Sequence, residues 1–116
     1  MKFEQEHLPA KTGINKLPSS SPLPDANWVL VFGSVNRFNE RGFAKNLRKR
    51  YPEAQIIGCT TSGEITGEGV YDDSIHITAM KWERSTLRFI SKPVNSMEQS
   101  HALGAQIAGE LKMDDL

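Results

Sequence analysis

Two apolar runs, Trp28 to Phe32 and Ala54 to Cys59, constrain this chain more than any other feature. With Gln55 as the one exception, both are apolar on both faces, the pattern of strands covered on two sides in a parallel sheet. The residues between them read as one helix, from about Glu40 to Tyr51. Asn39 is placed as its N-cap, and Phe38 and Phe43 are spaced to form a hydrophobic staple. Phe43, Leu47 and Tyr51 give one apolar stripe. Arg48, Lys49 and Arg50 oppose the negative end of the helix dipole, and Pro52 stops the helix. Strand, helix and strand in this order make a βαβ unit, whose crossover is expected to be right-handed.

The remaining punctuation fills in the fold. Thr60 to Asp73 carries Gly63, Gly67 and Gly69 and reads as a long loop or irregular hairpin. Ser74 to Trp82 alternates with the period of a strand, and Thr86 to Ser91 alternates again after the turn Glu83-Arg84-Ser85. An antiparallel hairpin is therefore expected. Ser96 and Gln99 form a capping-box pattern ahead of a helix from Met97 to Lys112, with Leu103, Ile107 and Leu111 on one stripe. The expected fold is α/β, bordering on α+β: a β-α-β-β-β-α mixed sheet with a parallel βαβ unit, an antiparallel hairpin and helical cover. A strand as apolar as Trp28–Phe32 needs neighbours on both sides, and the last helix ends where a crossover would seek another strand. The sheet is expected to be part of a larger one, or to pair its edge with a second copy.

Residues 1–27 differ in kind from residues 28–116. They hold Pro9, Pro18, Pro22 and Pro24, the run Ser19-Ser20-Ser21, and no sustained apolar period. Such a segment is expected to be an extended or mobile arm, laid over a domain formed by residues 28–116.

Fourteen Lys and Arg balance fourteen Asp and Glu. No net field gathers phosphate backbone or anionic lipid, so neither nucleic acid nor a membrane surface is an expected partner. No apolar run approaches the ~18 residues that span a bilayer, and the N-terminus has no apolar core of a secretory signal. A cytoplasmic domain is expected. The single Cys59 excludes an internal disulfide and a cysteine-rich zinc site, and His7, His76 and His101 share no ligand spacing. No metal and no cofactor are expected. The glycine-rich stretch from Gly63 to Gly69 matches no phosphate-binding order.

Ligands of open parallel sheets settle outside the carboxyl ends of the strands. Here those ends are Ser34 and Asn36 after the first strand and Gly58-Cys59-Thr60-Thr61-Ser62-Gly63-Glu64 after the second. The hydroxyls supply neutral hydrogen bonds, the glycines let backbone N–H groups converge, and Glu64 is the carboxylate that would receive an ammonium. The same residues also suit a plain tight turn. Cys59 with His76 or His101 as base would define a thiol hydrolase or transferase. The flanking positions Ile57 and Thr61 lack the glycines of a nucleophile elbow, and a lone cysteine ending an apolar strand is ordinarily a small hydrophobe. No catalytic residue is expected.

Val29-Leu30-Val31-Phe32-Gly33-Ser34, the helix, and Tyr51 through Ile65 resemble the N-terminal half of a FIST domain. The order Gly58-Cys59-Thr60-x-x-Gly63-Glu64-Ile65 is the most specific part, and Gly69 with Asp72-Asp73-Ser74-Ile75 continues the match. The resemblance implies a sensory module of bacterial signal transduction that binds small ligands of amino-acid type. It also implies a FIST C-terminal half or a signalling output protein as partner. Full members of the family carry that second half, which this sequence does not include.

Overall fold

The computed structural model describes residues 1–111 and forms two compact units, Met1–Ser85 and the residues from Thr86 onward. The first unit holds six strands: β1 (Lys2–Leu8), β2 (Trp28–Gly33), β3 (Gln55–Thr60), β4 (Glu64–Ile65), β5 (Val70–Tyr71) and β6 (Ile75–Lys81). Four of them form one mixed sheet in the order β1-β6-β2-β3. β2 and β3 are parallel, Val31 opposite Gly58, and are joined through the helices α1 (Val35–Phe38) and α2 (Phe43–Arg50). β6 is antiparallel to both β1 and β2. β4 and β5 make a separate two-stranded antiparallel ribbon. The expected α/β class, with its parallel βαβ unit, is the observed one, and β2 lies between two neighbours.

Two elements differ from expectation. Thr86 to Ser91 forms no strand, because the edge of β6 that a following hairpin would use is taken by β1. The helix expected from Glu40 begins at Phe43: Asn39 instead ends α1, and Gly42 precedes α2 at φ 86°, a left-handed conformation that glycine adopts without steric cost. The expected contact between Phe38 and Phe43 is kept, with ring centroids 5.1 Å apart.

The core lies on one face of the sheet. Val29 and Val31 of β2 and Ile75, Ile77 and Ala79 of β6 point to it, covered by Phe43 and Leu47 of α2 and by Tyr51. On the opposite face Phe32 is 38 % and Ile57 48 % exposed. β2 is thus buried on one face where its composition led us to expect two.

Residues 1–27 are integral to this unit. β1 pairs with β6 over its whole length, and Leu8, Leu17, Leu23 and Ala26 belong to the core. The strand's inward positions include Glu4 and Glu6, which meet the buried Arg50 at the end of α2. Arg50 also donates to the carbonyls of Pro18 (2.6 Å) and Ser20 (2.7 Å), clamping the proline-rich segment. The clamp adds a charge network to the hydrophobic contacts of these residues.

The second unit contains a short 3-10 turn, Met97–Gln99, and helix α3 (Ser100–Glu110). Ser96 makes no side-chain cap bond, so the expected capping box is not formed. Lys92 pairs with Glu110 at 2.7 Å. Leu103, Ile107 and Leu111 are the half-buried stripe, and Lys112, the expected last residue of the helix, lies outside the described residues. Among the described residues no helix is long and apolar enough to cross a membrane.

A hydroxyl and carboxylate corner at the ends of two parallel strands

The carboxyl ends of β2 and β3 meet the start of β6, and four short segments are tied together there. Thr61 N–H donates to the Gly33 carbonyl at 2.9 Å, and Ser34 N–H donates to the Ser74 carbonyl at 3.1 Å. These bonds extend both ladders past their last strand residues. Ser34 caps α1, accepting from Arg37 N–H at 3.4 Å, while its hydroxyl donates to Asp73 Oδ1 at 2.6 Å. Asp73 has φ 51°, a left-handed conformation that aspartate tolerates better than most residues.

Glu64 is the centre of the corner. It is only 4 % exposed. One carboxylate oxygen accepts from the Thr61 hydroxyl at 2.5 Å, and the other accepts from the hydroxyl of the fully buried Ser74. A buried carboxylate is tolerable only when its oxygens are so satisfied. Its side chain therefore looks inward, fastening the segment after β3 to the one before β6. Asn36, Gly58, Cys59, Thr60, Ser62 and Asp73 are exposed. Thr61, Gly63 and Ser34 are half-buried. Of the expected site residues, hydrogen bonds bring Ser34, Thr61 and Glu64 together here, with Glu64 as the internal fastening and Asp73 as the exposed carboxylate, while Gly58 lies against Val31 and Phe38 under α2. Asp73 and Ser74 were not among the expected site residues. Their signal in the sequence is the Asp-Asp-Ser triplet just ahead of an alternating strand, a polar turn at the mouth of the sheet.

Gly58 is required by close approach: a Cβ there would lie 2.8 Å from the Val31 carbonyl and 3.3 Å from the Phe38 ring. Cys59 is exposed. It pairs with Phe32, which on its other side pairs with His76, so thiol and imidazole are two strand spacings apart, about 10 Å. His76 is not within hydrogen-bond reach as a base. Instead it faces His7 across β1 and β6, with ring centroids 6.5 Å apart, and His7 lies 4.1 Å from the Tyr71 ring. Burial, and then the neighbouring His7, hold the His76 imidazole below its ordinary pKa, against the opposing pull of Glu64. Among the described residues no three His, Cys, Asp or Glu side chains are grouped to hold a metal ion.

The fold defines a mixed α/β domain with a polar corner at the ends of its parallel strands. The FIST N domain matches residues 27–116, and the chain belongs to that family, a sensory domain of signal transduction. No curated protein and no solved structure gives a significant match.

Proposed function

We propose that this chain is the ligand-binding portion of a cytoplasmic bacterial sensor, and that it takes a small, polar, amino-acid-like molecule at the corner formed by Ser34, Asn36 and residues 58–64. The observation that carries the reading is the convergence of side chains from four segments on one point. The hydroxyls of Ser34, Thr61 and Ser74 are committed to Asp73 and Glu64, which leaves Thr60 and Ser62 beside them in the open. A ligand carboxylate would be met by these hydroxyls and by N–H groups of the turn, and a ligand ammonium by Asp73.

The responding element is the β4–β5 ribbon. Its strands are two residues long, and Ile65 is 81 % and Val70 73 % exposed, so little apolar burial holds it. Ligand binding that favours one placement of this ribbon shifts its population, and a C-terminal FIST half or an output protein would read the shift.

A thermal-shift screen of amino acids and related metabolites tests the reading. A ligand at about 100 times its Kd adds about 2.7 kcal/mol to the folded state. Ser62→Ala and Asp73→Asn, both at exposed positions, are expected to weaken a hit without unfolding the chain. If no compound raises the melting temperature, or if hits are indifferent to both substitutions, the corner is a structural turn.

A further inference from the structure

The two edges of the four-stranded sheet are built differently. β1, at one edge, carries Lys2, Glu4 and Glu6, the kind of charges that discourage added strands. β3, at the other, reads Gln-Ile-Ile-Gly-Cys-Thr: no charge, no proline, and only Ile56 half-buried. Gln55 N–H donates to the Asn27 carbonyl at 3.0 Å, and Thr61 N–H to that of Gly33. In a parallel pair alternate residues bond the same neighbour, so the N–H and C=O groups of Ile56, Gly58 and Thr60 point away from β2, along an edge that no other strand of the described residues pairs with.

A groove of about 620 Å³ runs beside this edge. Phe38, Phe43, Leu47 and Ile56 line it, and Gly58 stands where a side chain would narrow it. Its rim is cationic. Lys45 and Arg48 border it, and α2 from Phe43 to Arg50 carries four basic residues and no acid; Glu53 is the first acid that follows. Arg48 is held in place by donating to the carbonyls of Ala54 (2.7 Å) and Pro52 (3.3 Å).

We propose that the β3 edge is a strand-addition site for an extended, acidic segment of a partner protein. Backbone groups of Ile56, Gly58 and Thr60 pair with the added strand, and its alternate apolar side chains fill the groove under α2. Its acidic residues meet Lys45 and Arg48. A second copy of this chain fits the charge less well, because pairing β3 with itself would bring two cationic α2 helices together. The edge shares Gly58 and Thr60 with the small-ligand corner but uses their outward backbone groups, so strand addition does not require a ligand there.

The test is selection of a random nonapeptide display library on the full chain, followed by anisotropy titrations and amide hydrogen exchange. Enriched peptides are expected to alternate Val, Ile or Thr with polar residues and to carry Asp or Glu. They are expected to slow exchange at Ile56, Gly58 and Thr60 while Ile57 and Cys59 stay as they were. Thr60→Pro removes one outward donor that the fold does not use, and Lys45→Glu reverses one rim charge at an exposed position. Each is expected to weaken binding by roughly tenfold. The proposal is overturned if no acidic strand-like peptides are enriched, or if bound peptides protect other amides. Indifference of affinity to both substitutions, or a concentration-dependent dimer protecting the same three amides, overturns it equally.

Discussion

Arg50 is the residue whose removal is most informative. Its side chain is 1 % exposed, yet its guanidinium touches five groups. Nε donates to Tyr51 Oη at 3.1 Å, and Nη1 donates to the carbonyls of Pro18 and Ser20. Nη2 forms ion pairs with Glu6 Oε2 at 3.0 Å and Glu4 Oε1 at 3.8 Å. Arg50→Met keeps the stem and deletes the charge. Breaking a buried pair by removing one partner costs about 3–5 kcal/mol. The low end applies here, because Glu6 is only partly buried and can turn to water, while Glu4 retains the donors Tyr51 Oη (2.7 Å) and Ser21 Oγ. We expect a loss of about 3 kcal/mol, a large share of the ~5–15 kcal/mol typical of a domain. Urea unfolding followed by Trp28 and Trp82 fluorescence measures it. Hydrogen exchange is expected to show β1 opening well before the rest of the sheet, because the clamp joins α2 to that strand. A loss below about 1 kcal/mol, with β1 amides as protected as before, would show that the first 27 residues are held by Leu8, Leu17 and Leu23 alone.

Four further outcomes are expected. Gly42→Ala, at φ 86°, should destabilise by about 1–2 kcal/mol in the same urea assay, since the left-handed conformation costs an alanine that much. Because the His76 pKa is lower in the fold than its ordinary 6.5, the unfolded chain takes up the proton first as pH falls below that value. Stability should therefore drop there, and His76→Gln should flatten the drop in a pH series of melting temperatures. Tyr51 shows the converse: burial first, with Glu4 aiding and Arg50 opposing, pushes its pKa up to about 12 from 10.0. Between those values the unfolded chain loses the proton while the folded one keeps it, so stability should fall as pH rises, and ultraviolet titration at 295 nm should place the tyrosinate transition late. Glu64→Gln should cost about 1–3 kcal/mol by urea titration, because an amide nitrogen replaces an acceptor facing Thr61 or Ser74; no loss would mean that the carboxylate is not the fastening.

The parallel pair was legible in the sequence because its signal is local: two apolar runs, a helix between them, and Pro52 as the stop. β1 was not. Its alternation is inverted, with Phe3, Gln5 and His7 on the more open face and Glu4, Glu6 and Leu8 directed to the core side. Hydrophobic periodicity cannot find a strand whose inward positions are carboxylates satisfied by an arginine some forty residues on. The false strand at Thr86–Ser91 follows from the same omission, for once β1 pairs with β6 no edge remains for a hairpin. In the corner, the turn chemistry of Ser34, Thr61 and Glu64 was readable, but the role of Glu64 was not. Whether a carboxylate faces solvent or core depends on Ser74, ten residues away, and on how β6 enters the sheet.

That inward Glu64 gives the proposed sensor its energy scale. Moving a two-state element from nearly all in one state to nearly all in the other takes about 5.5 kcal/mol of differential affinity. Hydrogen bonds to a charged group contribute about 1.5–3 kcal/mol each, so the two hydroxyl bonds to Glu64 together are worth about 3–6 kcal/mol. The ribbon begins at Glu64 itself, and its other tie to the sheet is the Tyr71 ring, 4.1 Å from that of His7. A ligand that draws the half-buried Thr61 hydroxyl to its own carboxylate removes one of these bonds, a change of about 1.5–3 kcal/mol, and leaves the ribbon on the Ser74 bond and the Tyr71–His7 contact. Thr61→Val separates this switch from simple occupancy. It should loosen the ribbon without ligand, seen as faster exchange at Ile65 and Val70, and it should abolish any further ligand-induced change there. Ligand-induced ribbon changes that persist undiminished in Thr61→Val would rule out the Thr61–Glu64 bond as the device.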